Sequence, residues 1–188
     1  MKGIVFTEFL EMVEAQFGPV ACERVIAAAR LPSGGAYTTV GTYDAGEMLA
    51  LVRELAGDTN LAPGALVRAF GEHLFQRFVV LFPRFFVGIS SAMQFLESVD
   101  GFIHEEVRKL YPDAELPRFD AVRPDPASLH LTYHSERPLA DLAEGLIRAC
   151  LQHFGEPLQL ERCRLEGAEG TAVRFQLTCP KTTLQPTS

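Results

Sequence analysis

Hydrophobic positions along this chain change period near its middle, from steps of three and four residues to strict alternation. Phe6, Phe9, Leu10, Val13 and Phe17 form one helical stripe, and a shorter helical segment follows Gly18-Pro19. Pro32-Ser33-Gly34-Gly35 marks a turn-rich connection. A helix restarts near Asp44, with Met48, Leu49, Leu51, Val52 and Leu55 on a broad apolar side. Pro63 suits the first turn of another, which runs on through Leu66, Val67, Phe70, Leu74, Phe75 and Phe78. Leu96, Val99, Ile103, Val107 and Leu110 predict a further helix, ended by Tyr111-Pro112 because proline disfavours helical geometry in the residue before it.

Beyond that point strands enter. Residues 119–123, ahead of Pro124 and Pro126, are one candidate, and 128–134 is a clearer one. Leu129, Leu131, Tyr133 and Ser135 share one face of that second strand, against His130, Thr132 and His134 on the other. From Pro138 the helical period returns through Leu139, Leu142, Ala143, Leu146, Ile147, Cys150, Leu151 and Phe154, with Gly155 as a stop. Further strands are expected over 157–164 and 171–178, where Val173, Phe175 and Leu177 alternate inward, and the tail 181–188 is expected to fray. The fold class this predicts is α+β: one domain over 1–180, with a helical part at 1–85 and a mixed helix-and-sheet part at 86–180.

Composition narrows the setting. With 188 residues, 47% of them hydrophobic and 14 of them Phe, the chain can bury a substantial core. A net charge of -7, from 17 basic and 24 acidic side chains, with no basic stripe among aromatics, argues against a nucleic-acid surface. The apolar run from Phe78 to Phe86 is broken by Pro83 and Arg84, so no membrane insertion is expected. No secretory signal is visible at the N-terminus, which points to a cytoplasmic protein whose Cys22, Cys150, Cys163 and Cys179 stay reduced.

Two small constellations carry candidate chemistry. His104 lies beside the apolar stripe of its helix, with Asp100 one turn earlier and able to orient the ring. A lone histidine in such a place is more often a hydrogen-bonded core residue than a ligand. Tyr133-x-Ser135-x-Arg137 places a phenol, a hydroxyl and a guanidinium on one strand parity, a set that could converge on an anion. The plainer alternative makes Ser135 a cap for the helix that starts at Pro138.

The two constellations together, in their order and spacing, resemble a known family. Ile103-His104-Glu105-Glu106-Val107-Arg108-Lys109-Leu110-Tyr111-Pro112 is similar to the segment that supplies the proximal iron ligand in haem nitric oxide/oxygen-binding (H-NOX) domains. Tyr133, Ser135 and Arg137 match that family's propionate-binding motif residue by residue. Met1-Lys2-Gly3-Ile4-Val5, Gly34-Gly35-Ala36-Tyr37 and Leu116-Pro117-Arg118-Phe119 add to the likeness, which reaches from residue 1 to about residue 178.

The resemblance implies an H-NOX fold in which the helical half forms the distal wall and haem b is buried against the sheet-bearing half. His104 would ligate the iron, Pro117 would press on the macrocycle, and Val5 and Phe9 would touch its distal side. Oxygen-binding members carry a distal tyrosine. The matching position here is Leu142, and Leu74 in the facing helix offers no hydrogen bond either, which implies a nitric oxide sensor that discriminates against oxygen; carbon monoxide is a second possible ligand. Tyr37 and Tyr43 are the other polar side chains still to be placed. Ala140 stands where zinc-bearing members have cysteine, so no zinc is expected.

With no P-loop, cyclase-sized second domain or kinase signature, the chain reads as a regulatory subunit and not an enzyme. The resemblance implies a histidine kinase or a cyclic-di-GMP synthase or hydrolase as partner. An oxygen- or redox-responsive sensor, a haem enzyme and a cofactor-free interaction module are the competing classes.

Overall fold

Helix starts follow local chemistry in this computed structural model, which describes residues 1–165 and 171–180. Helices α1 (Gly3–Phe17) and α2 (Pro19–Ala29) are separated only by Gly18. Asp44 caps α3 (Ala45–Thr59), its carboxylate accepting from the Gly46 N–H at 2.6 Å. Pro63 occupies the first turn of α4 (Pro63–Leu81). Ser91 caps α5 (Ala92–Glu97) by accepting from the Gln94 N–H at 3.1 Å. The tail 181–188, expected to fray, lies outside the described residues.

The third helical stripe is not one helix. A π-helical turn, Val99–Ile103, separates α5 from α6 (His104–Leu110), and its signature bond runs from the Ile103 N–H to Ser98 O, 3.1 Å away. One extra residue in a turn rotates everything downstream by about 100°. The stripe is therefore re-phased. His104 becomes the buried residue of α6, 8% exposed, while Leu110 turns outward to 45%. A smaller correction falls on α3, where Leu49 is 40% exposed and the buried side is carried by Met48, Leu51, Val52 and Leu55.

The strands are β1 (Arg118–Asp125), β2 (Ser128–Ser135), β3 (Gln159–Arg164) and β4 (Thr171–Thr178), joined in the antiparallel order β1-β2-β4-β3. β1 is longer than the sequence suggests and carries Pro124 inside a register break between Val122 and Asp125, which an edge strand tolerates. On β2 the inward set Leu129, Leu131 and Tyr133 is buried, as are Val173, Phe175 and Leu177 on β4. Tyr133 sits between Phe119 and Val173 in register.

α7 (Ala140–Phe154) ends at Gly155 and links two hydrophobic cores. One core gathers α1 to α4 around Phe6, Phe9, Leu51 and Phe70. The other gathers the sheet, α5 and α7 around Leu131, Ile147 and Phe175. Leu146 packs against both. No helix among the described residues is long and apolar enough to cross a membrane.

Candidate cofactor site

A cavity of about 270 Å³ is lined from both halves of the fold. α1 supplies Ile4 and Val5, α4 supplies Leu74 and Phe78, and α7 supplies Leu142 and Leu146. None of these six side chains carries a hydrogen-bond donor. The polar lining comes instead from His104, from Tyr133, Ser135 and Arg137, and from Lys2, Tyr111 and Glu115.

His104 enters the wall at the first residue of α6. Its Nδ1 lies 3.3 Å from Asp100 Oδ1, a contact within the π turn's own span, and the same oxygen accepts from the Phe119 N–H at 3.2 Å. Asp100 therefore ties the ring to the start of β1. Nε2 has no hydrogen-bond partner among the described residues. Burial holds the imidazole below its ordinary pKa, against the smaller upward pull of Asp100, so the ring is neutral near pH 7. A neutral imidazole with one nitrogen fixed by a carboxylate and the other open is the form that ligates a metal.

Tyr133, Ser135 and Arg137 do converge. All three line the cavity, and Ser135 Oγ accepts from the Arg137 N–H at 3.0 Å. Burial pushes the phenol up, partly offset by Ser135 and by the Arg137 charge, so it stays a neutral donor. Ser135 thus closes a turn onto Arg137 and does not cap α7, whose first residue follows Leu139 without a side-chain cap. The Arg137 guanidinium already binds a carboxylate: Nη2 contacts Glu115 Oε2, and Nη1 donates to the Glu115 carbonyl at 3.1 Å.

The remaining sequence candidates separate. Pro117, Val5, Leu74 and Leu142 line the cavity, whereas Phe9 does not; its fully buried ring packs edge-on against Phe70 at 5.1 Å in the helical core. Tyr37 and Tyr43 are also absent from the wall. The Tyr37 hydroxyl donates to Glu47 at 2.8 Å, and burial is the main reason its pKa is pushed up to about 12; the Tyr43 hydroxyl accepts from the Thr38 N–H at 2.9 Å. Ile4, Phe78, Leu146 and Glu115 escaped the sequence reading. Leu146 was legible as the residue one turn beyond Leu142, but nothing in local sequence marks Glu115 as a partner of Arg137.

The donor set suits haem. One neutral imidazole faces a mainly apolar cavity, and a guanidinium, a hydroxyl and a phenol cluster on the same lining, with a carboxylate of the chain on the guanidinium. Among the described residues no group of three or more His, Cys, Asp or Glu side chains converges as a metal cluster, so a metal here would depend on a macrocycle for its other ligands.

Fold and cavity together define an α+β domain whose cavity presents one imidazole. A family model described as haem-NO-binding matches residues 2–162, and the chain belongs to that family, the H-NOX domains. It is similar to the unliganded Fe(II) H-NOX protein of K. algicida, at 34% identity over 98% of this chain and 100% of that one, with a TM-score of 0.87. The Shewanella woodyi H-NOX in its Fe(II)CO state with IWP-051 bound is 35% identical over 100% of this chain and 99% of that one, TM-score 0.81. The S. oneidensis H-NOX in its Fe(II)NO state is 25% identical over 94% and 98%, TM-score 0.86. No curated protein matches the chain.

Proposed function

We propose that residues 1–180 form a single unit that holds haem b, senses nitric oxide and regulates a separate cytoplasmic signalling protein, a histidine kinase or a cyclic-di-GMP synthase or hydrolase, without catalysing a reaction itself. The observation that carries this reading is His104, with Nδ1 held by Asp100 and Nε2 open in a cavity whose helical walls carry no donor. His104 Nε2 would ligate the iron, and Arg137, Ser135 and Tyr133 would hold the propionates. Haem held there would supply the iron chemistry that binds nitric oxide, and carbon monoxide with it, and His104 would provide the protein bond that nitric oxide weakens.

The chain's own residues then define selectivity and output. Leu74 and Leu142 give oxygen no hydrogen bond, so the ligand that most needs such a donor is retained least. Pro117 lines the same cavity and would bear on the macrocycle. His104 is held by its backbone, by Asp100 and by the Phe119 ring 6.0 Å away, and its release from the cofactor would let α6 turn about the π segment behind it. Such a two-state change regulates a partner only if the partner binds the two states with different affinity.

The test is the absorption spectrum of the purified ferrous haem protein under anaerobic conditions, repeated with nitric oxide and with oxygen. Loss of the histidine ligand with nitric oxide and no stable response to oxygen is expected. A stable oxygen response overturns the selectivity given to Leu142, and failure to incorporate haem leaves a cofactor-free interaction module. His104→Gly supplied with free imidazole addresses the output: partner regulation that still follows nitric oxide would contradict signalling through the tether.

A further inference from the structure

We infer that Glu115 is a resident carboxylate that competes with the cofactor's propionates for Arg137, and thereby sets how fast the cofactor is released. The inference rests on the haem reading above. Two contacts from one residue occupy the guanidinium, one from the Glu115 carbonyl and one from its carboxylate. The carbonyl contact, at 3.1 Å, fixes the fork's orientation and survives any change of side chain. The carboxylate contact is a different matter. It has the chemistry of a propionate on the residue whose family role is to bind one, and both partners line the cavity.

The exposure of the two groups shows that this pair can yield. The Glu115 side chain is 75% exposed and Arg137 25%. A carboxylate that wet is worth only a factor of about one to five at its partner. The same connecting segment lays a second acid on a second cation, Asp113 on Lys2 at 3.0 Å, but that pair is better secured: Lys2 is 10% exposed and Asp113 also accepts from Thr42 Oγ1 at 2.5 Å. Among the described residues Glu115 shares hydrogen bonds with Arg137 alone, and the Met1 ammonium, which donates to the Tyr43 carbonyl, is near enough to feel its charge without binding it. It is the acid that can leave when a propionate arrives and return when a propionate lets go.

Competition follows because both carboxylates are tethered. A propionate is delivered by a large apolar body seated in the cavity, and Glu115 by a short stretch of chain, so each meets Arg137 at high local concentration. Whenever a propionate detaches, Glu115 can take its place and delay recapture.

The experiment loads wild type, Glu115→Gln, Arg137→Ala and the double variant with ferric haem b and follows transfer of haem to excess apomyoglobin. Release from Glu115→Gln is expected to be about two- to fivefold slower than from wild type. The same change in the Arg137→Ala background is expected to do nothing, since the effect passes through Arg137. Unchanged or faster release from Glu115→Gln, the result if Glu115 merely positions the guanidinium, overturns the inference, as does an equal effect with Arg137 gone. A wild-type protein that fails to take up haem one to one is a separate outcome, which rejects the haem reading itself and this inference with it.

Discussion

Gly71 of α4 and Gly145 of α7 meet backbone to backbone where the two helices cross. A Cβ on Gly145 would lie 2.1 Å from Arg68 O and 2.9 Å from Gly71 Cα, and one on Gly71 would lie 2.4 Å from Leu142 O. Only backbone is in the way, and backbone cannot swing aside. The close crossing is also what brings Leu74 and Leu142, each three residues from its glycine, to one cavity wall.

Alanine at either glycine should therefore force the helices apart and cost about 1–3 kcal/mol of overpacking, more at Gly145 than at Gly71. Gly57, inside α3 with nothing near its would-be Cβ, is the matched control. Gly57→Ala should stabilise by about 0.5–1 kcal/mol. Urea unfolding of the three variants decides the matter; a neutral Gly145→Ala would show that the two helices can part at the crossing without cost.

Asp100 holds two groups with one oxygen, His104 Nδ1 and the Phe119 N–H. Asp100→Ala should free the ring and lower haem affinity by roughly 10- to 100-fold, the usual loss when a ligand's orienting partner is removed. Asp100→Asn keeps an acceptor oxygen and should lose less. Competitive haem titration against a calibrated apoprotein reads the order; equal losses in the two variants would mean that the carboxylate's charge, and not its acceptor geometry, matters.

Period and punctuation made most of the fold legible. Asp44, Pro63 and Gly155 act where local chemistry puts them, and the alternation on β2 and β4 gives the sheet its inner face. The π turn was hidden for a physical reason: inserting one residue shifts the helical phase without changing composition, so Leu96 to Leu110 reads as a continuous stripe. His104 was visible as a boundary residue, and its burial depended on that shift. Phe9 and Val5 were alike in the sequence as apolar residues of one helix, and only tertiary packing sets the Phe9 ring on Phe70 in the helical core while Val5 lines the cavity. Glu115 could not be found at all, since its contact with Arg137 spans 22 residues and is set by tertiary structure.

Glu144 is a buried acid held among three arginines. It is 6% exposed, with Arg148 at 2.8 Å, Arg162 at 3.3 Å and Arg68 Nε at 3.0 Å, the last close enough to pair but not aligned as a hydrogen bond. Arg68 and Arg162 also reach Asp141, so the cluster ties α4, α7 and β3 together. Glu144→Ala should cost roughly 2–3 kcal/mol, less than a fully buried pair because the arginines are a third or more exposed or nearly so and can turn to water. Glu144→Gln, which keeps the acceptor oxygen, should cost less. Loss in both variants should shrink in high salt, and a salt-independent loss would point to packing in place of charge.

Burial divides the four cysteines into two classes. Cys22 and Cys150 are buried, and burial pushes both thiols up; Cys163 and Cys179 are exposed. Since the thiolate is the reactive form, brief alkylation of the native protein should label Cys163 and Cys179 alone, and denaturation should expose all four. The same shift predicts a pH effect. The folded state holds the Cys150 proton above the pH, near 8.5, at which an unfolded thiol loses it, so stability is fully present below about pH 8.5 and falls as pH rises toward the folded-state value. The slope is at most about 1.4 kcal/mol per pH unit for one thiol. Cys150→Ala should lower stability by about 1 kcal/mol at every pH through the lost sulfur and flatten this alkaline limb. Parallel alkaline limbs for wild type and variant, measured by urea unfolding from pH 7 to 10, would mean that the Cys150 proton is not what the fold is holding.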